Sequence, residues 1–136
     1  HEDKVAVNTL IQGIDELRNY GGRVVTILCT NRVSALDPAL QRRAAIVEEF
    51  KRPDDTERRR LLAMDLEGLN LSDAEFAYLV ERTGAINGGP VWTYSDIRTR
   101  LYPMALALAF PDCPLTFDHL KTAVGQIRPS PVVEDC

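Results

Sequence analysis

At 136 residues the chain has room for one ordinary domain or for two small lobes that share an interface. Its 45% hydrophobic and 26% charged residues fit a globular protein and argue against disorder, and no apolar run is long enough to cross a bilayer. A net charge of −4 gives no reason to expect nucleic acid or an anionic membrane as a partner.

The N-terminus, His-Glu-Asp-Lys, is charged rather than signal-like. Cys29, Cys113 and Cys136 are odd in number, far apart and without metal-ligand spacing. Cys29 sits in an apolar run, where a small buried thiol is the ordinary expectation. Together these features predict a reducing, cytoplasmic setting without a disulfide framework. His1 and His119 are isolated, so no metal site or catalytic dyad is predicted.

In chain order, Val5, Val7, Leu10, Ile11, Ile14 and Leu17 recur at helical steps and predict an amphipathic helix from about Lys4 to Leu17. Gly21-Gly22 ends it. Val24 to Cys29 is short, apolar and rich in β-branched residues, the pattern of a strand buried on both faces of a parallel sheet. Ile46 to Phe50 is the one further strand candidate, and two strands alone are marginal. The sheet is therefore expected to be incomplete.

Asp37-Pro38 predicts a short helix start, with an acid at the cap and proline in the first turn. Arg52-Pro53-Asp54 marks the expected lobe boundary. Beyond it the pattern is helical throughout. Asp54 with Glu57, and Ser72 with Glu75, have capping-box spacing. Thr93 to Asp96 opens a third helix through Ile97, Leu101 and Leu108, with Pro103 placed to kink it. Thr116 opens a fourth through Phe117, Leu120 and Val124, closed by Pro129. Four helices with short connections predict a small bundle. The fold class is thus an α/β fragment, an incomplete parallel sheet with flanking helices, followed by an all-α four-helix lid bundle.

Thr30 and Asn31 follow the predicted strand. An asparagine amide there can hold a water or a phosphate oxygen, or it can cap the following turn. Arg42 and Arg43 follow the short helix. They can stabilise charge on a transferring phosphoryl group, or be solvated surface residues. The run Arg58-Arg59-Arg60, preceded by acids, reads as a solvated helix face. Trp92 and Tyr94 beside Gly88-Gly89-Pro90 read as pocket lining or as core packing.

In this order the features resemble the C-terminal half of the ATPase module of the AAA+ family, AAA clade. Thr30 to Arg43, Thr-Asn-Arg-Val-Ser-Ala-Leu-Asp-Pro-Ala-Leu-Gln-Arg-Arg, is similar to that family's sensor-1 strand end and arginine-finger helix. Lys51 to Asp54 resembles the linker into the helical lid. Trp92 to Ile97 falls where the family has an aromatic-Ser-Gly-Ala-Asp motif, with Tyr94 and Ser95 in place of Gly-Ala. Phe117 through Pro131 resembles the closing lid helix and its Pro-Ser ending.

The resemblance implies a division at residues 1–52, the last part of the α/β nucleotide-binding subdomain, and 53–136, the lid. It makes Asn31, Arg42 and Arg43 the catalytic candidates, with Arg42 the best match to a finger acting across a subunit interface and Arg43 next. Thr30, Asn31, Tyr94, Ser95 and Asp96 become the nucleotide-binding candidates, and no residue is assigned to a metal. It further implies an intact parent that uses ATP and Mg²⁺, assembles as a homo-oligomer, a hexameric ring, and remodels a protein substrate. The sequence lacks a Gly-x-x-x-x-Gly-Lys-Ser/Thr loop and a strand ending in paired acids. The chain alone is therefore expected to be inactive and to bind no nucleotide tightly. Two other readings are a degenerate, non-hydrolysing AAA-like adaptor and a free-standing helical interaction domain.

Overall fold

A computed structural model describes residues 2–111 and 113–132; His1 and Cys136 lie outside them. The chain divides into two compact units between Glu49 and Phe50.

In the first unit, α1 runs through Glu2–Leu17, close to the predicted span, and tightens into a 3₁₀ turn at Arg18–Tyr20. Gly21, at φ 61°, ends this turn in the left-handed conformation that glycine adopts without a Cβ penalty. α2 is the single turn Pro38–Gln41. Asp37 caps it by accepting from the Ala39 N–H at 2.7 Å, and Pro38 occupies the first turn, where no donor is needed.

The predicted parallel sheet is absent. No β-strand forms among the described residues, so this unit is not an α/β fragment. The stretch Val24 to Cys29 has no regular secondary structure, and Val25 and Ile27 are 81% and 78% exposed. Ile46, Val47 and Phe50 are likewise exposed. The physical reason is lateral. An apolar run becomes a buried strand only when neighbouring strands take up its N–H and C=O groups and helices cover both faces. Neither condition is met here. Cys29, expected to be buried with its strand, is exposed for the same reason.

The second unit is the predicted helical bundle. α3 (Asp55–Asp65) and α4 (Asp73–Arg82) both begin with the expected capping boxes, from Asp54 with Glu57 and Ser72 with Glu75. α5 (Tyr94–Asp96) starts on the Thr93–Asp96 box and continues through one π turn, Ile97–Leu101, into α6 (Tyr102–Ala109). The π turn lies just before Pro103. A proline inside a helix lacks a donor and crowds the carbonyl four residues back. Bonding five residues back, as the Tyr102 N–H does to the Ile97 carbonyl, widens the helix locally and lets it pass the proline.

α7 (Phe117–Gln126) is capped in an unforeseen way. His119 Nδ1 accepts from the Thr116 N–H at 3.1 Å, taking the place usually held by Glu or Gln. Leu61, Leu62 and Leu66 of α3 and its end, Leu79 of α4, Ile97, Leu101 and Ala105 along the π turn and α6, and Leu120 and Val124 of α7 form one core with Trp92. Their three- and four-residue spacing gives each helix one inward stripe.

Candidate functional site

The candidate residues fall in both units. In the first, Thr30 closes a tight turn. Its Oγ1 accepts from the Arg32 N–H at 3.0 Å and donates to the Arg32 carbonyl at 3.2 Å. Thr30 therefore does the capping that Asn31 was weighed for. The Asn31 side chain is exposed, and its amide makes no hydrogen bond among the described residues. Gln41 ties the following loop to α2 by donating to the carbonyls of Val33 at 3.1 Å and Leu36 at 3.0 Å.

The two adjacent arginines have separate fates. Arg43 turns back onto α1 and grips Asp15 with two parallel bonds, Nε to Oδ1 at 3.0 Å and Nη2 to Oδ2 at 2.8 Å. Its Nη1 donates to the Ala39 carbonyl at 3.0 Å. This is the bidentate fork that the guanidinium plane favours. Hydrogen bonding to Arg43 holds the Asp15 carboxyl below the usual range, against partial desolvation. Arg42 is exposed at the end of α2, and its guanidinium has no hydrogen bond or ion pair among the described residues.

In the second unit, Tyr94 is 41% exposed and Ser95 is exposed, on the first turn of α5. Asp96 beside them is 1% exposed. Its Oδ2 accepts from the N–H groups of Thr93 at 3.0 Å and Ser130 at 3.1 Å. Its Oδ1 accepts from the Ser130 hydroxyl and from Arg100 Nη1 at 3.3 Å. Burial alone would raise its pKa. Hydrogen bonds from the Ser130 side chain, the Thr93 backbone, the Ser130 backbone and the Thr93 hydroxyl outweigh that and hold it at about 2. Asp96 is thus an anchor for the segment after α7, with its acceptor sites already filled.

Sequence reasoning missed two residues here. Arg52 donates to the Val91 carbonyl, to Ser130 O at 2.9 Å and to Pro131 O at 2.8 Å. Its partners lie too far along the chain to leave a local signal. Arg58 was placed on a solvated face with Arg59 and Arg60, but it is 1% exposed. It donates to the Pro53 carbonyl at 2.7 Å, the Val80 carbonyl at 3.4 Å and the Asp55 carboxylate. Its spacing from Leu61 and Leu62, three and four residues, was the available clue. Among the described residues no group of three or more His, Cys, Asp or Glu side chains is placed to hold a metal ion. None of their helices is long and apolar enough to cross a membrane.

Residues 1–52 match the family profile described as "ATPase family associated with various cellular activities (AAA)". Across 135 residues the chain is 63% identical to CD-NTase-associated protein 6 of Escherichia coli (strain KTE188), covering 99% of this chain and 45% of that protein. Among solved structures it is similar to a chain of the E. coli MS115-1 HORMA:CdnC:Trip13 complex, with TM-score 0.87 and 38% identity over 98% of this chain and 45% of that one. It is also similar to Rhizobiales Trip13, with TM-score 0.76 and 36% identity over 91% of this chain and 47% of that one. Over residues 1–52 the chain thus matches the AAA ATPase family. Within that family its likeness is to Trip13 structures and to CD-NTase-associated protein 6, and it spans about half the length of these relatives.

Proposed function

We propose that the chain is part of an AAA-type ATPase that couples ATP binding and hydrolysis to the remodelling of a protein partner. In this reading residues 1–52 belong to the nucleotide-binding subdomain and 53–136 form the lid. The observation that carries the proposal is the separation of Arg42 from Arg43. Arg43 is committed to Asp15 and braces α2 against α1. Arg42, one residue earlier, is exposed on the braced turn and has no hydrogen-bond or ion-pair partner among the described residues. A rigidly based, unpaired guanidinium suits charge developing on a phosphoryl group held by an adjacent subunit. The uncommitted Asn31 amide suits a phosphate oxygen or a water beside the chain's own nucleotide.

ATP with Mg²⁺ supplies the phosphoryl group whose transfer drives the cycle. The chain's residues contribute positioning and charge. Tyr94 and Ser95 are the lid's exposed contribution near the nucleotide, and Asp96 fixes the helix start beneath them. A homo-oligomeric ring, hexameric in this reading, brings Arg42 to a neighbour's site. The presence of HORMA and CdnC in one similar complex supports a HORMA protein as the remodelled partner.

The test is Arg42→Ala in the full-length protein. ATP turnover should fall roughly a thousandfold, with nucleotide affinity unchanged. Arg43→Ala should instead loosen α2 and lower thermal stability. Undiminished turnover in Arg42→Ala would overturn the assignment.

A further inference from the structure

A cavity of about 430 Å³ opens in the helical unit, between the end of α4, the loop after it and the segment after α7. That volume lies within the range of small-ligand pockets. Ile86, Pro90, Trp92, Val124, Ile127 and Pro129 give it apolar walls, and Arg82 and Arg128 are the charged residues on its lining. Among the described residues, Arg58, Arg59, Arg98 and Arg100 of this unit form ion pairs, and Arg82 and Arg128 do not. The Nε of Arg82 is buried with no hydrogen-bond partner among the described residues. A buried donor without an acceptor costs the desolvation of that donor, and an incoming acceptor removes the cost.

The wall is held in place beforehand. Pro129 and Pro131 flank Ser130, whose carbonyl and N–H are held by Arg52 and Asp96. A prearranged wall spends little ordering entropy on binding.

We infer that this cavity binds a carboxylate carried on an apolar body, namely the free C-terminal end of a short apolar peptide. Two guanidinium groups supply the planar forks that match a carboxylate. The proline, isoleucine, valine and tryptophan walls would leave a bare, strongly hydrated anion poorly solvated, whereas they suit aliphatic side chains on the same ligand. The inference rests on residues other than Asn31 and Arg42 and does not depend on the ATPase reading.

Trp92 is the chain's single tryptophan and lines the cavity, so its fluorescence reports on occupancy. The 136-residue chain is titrated with acetyl-Leu-Ala-Leu bearing a free C-terminal carboxylate, with the same peptide as its amide, and with inorganic phosphate. The acid should give a saturable change, the amide should bind about tenfold or more weakly, and phosphate should give no saturable response. Arg128→Gln, at an exposed position, should weaken the acid about tenfold while the circular dichroism spectrum is unchanged. Equal binding of acid and amide, no saturable response at millimolar acid, a response to phosphate matching that of the acid, or an unweakened Arg128→Gln would each overturn the inference.

Discussion

Replacing Asp96 by asparagine isolates the charge at the centre of the helical unit while nearly preserving its shape. The carboxylate is 1% exposed and accepts from Thr93 N–H, Ser130 N–H, the Ser130 hydroxyl and Arg100. Those donors hold its pKa at about 2, against 3.8 for an unperturbed aspartate. At about 1.4 kcal/mol per unit, the ionised form adds about 2 kcal/mol to folding. Because the folded pKa lies below the unfolded one, this contribution is complete well above pH 3.8. It shrinks as pH falls through 3.8 and is gone below about pH 2. An asparagine has no such charge at any pH, and it turns an NH₂ toward donors on one side.

Urea unfolding of wild type and Asp96→Asn, followed by circular dichroism, should therefore show the variant less stable by about 2 kcal/mol at pH 7. The gap should close as the pH approaches 2. A gap that stays constant between pH 7 and pH 2, or equal stability at pH 7, would refute the reasoning.

Gly84→Ala should cost about 1–2 kcal/mol, measured by the same unfolding assay. The added Cβ would meet the Glu81 carbonyl at 3.1 Å and Arg58 Nη2 at 3.2 Å, and Arg58 is pinned by its own hydrogen bonds and cannot yield; a variant as stable as wild type would contradict this. Arg52→Ala should lower stability by about 2–3 kcal/mol, since charge-assisted bonds to three carbonyls are lost at once. It should also speed hydrogen exchange at the Ser130 amide, and unchanged exchange there would show that Arg52 does not secure that segment.

The helices were legible because their signals are local. Asp54 with Glu57 and Ser72 with Glu75 each place a cap and its reciprocal acid three residues apart and form the expected boxes, and the helix start expected at Thr93 to Asp96 forms a box as well. Val24 to Cys29 encodes a demand for burial but not the partners that would meet it, so the same letters lie irregular and exposed. The candidate site divides along the same line. Adjacency in sequence gave Arg42 and Arg43 the same local reading, and only the family resemblance ranked Arg42 first. The distinction comes from Asp15, 28 residues before Arg43, which no spacing rule connects to either arginine. Asp96 was legible as a helix cap, yet its second role depends on Ser130, 34 residues later.

That second role gives the helical unit a closed geometry. Arg52 stands where the chain enters it, and Ser130 and Pro131 are near where its described residues end. One guanidinium holds both carbonyls of that closing segment and the Val91 carbonyl just before α5. Asp96 holds the Ser130 N–H from the opposite side of the same peptide segment. Arg58, in the first turn of α3, takes the carbonyl of Pro53. Bending the chain at Arg52 or Pro53 would strip several charge-assisted hydrogen bonds from one planar group, and an unpaired guanidinium left inside costs more than the bonds return when made. Entry and exit segments are therefore tied to the bundle through the same few side chains, Arg52, Arg58 and Asp96.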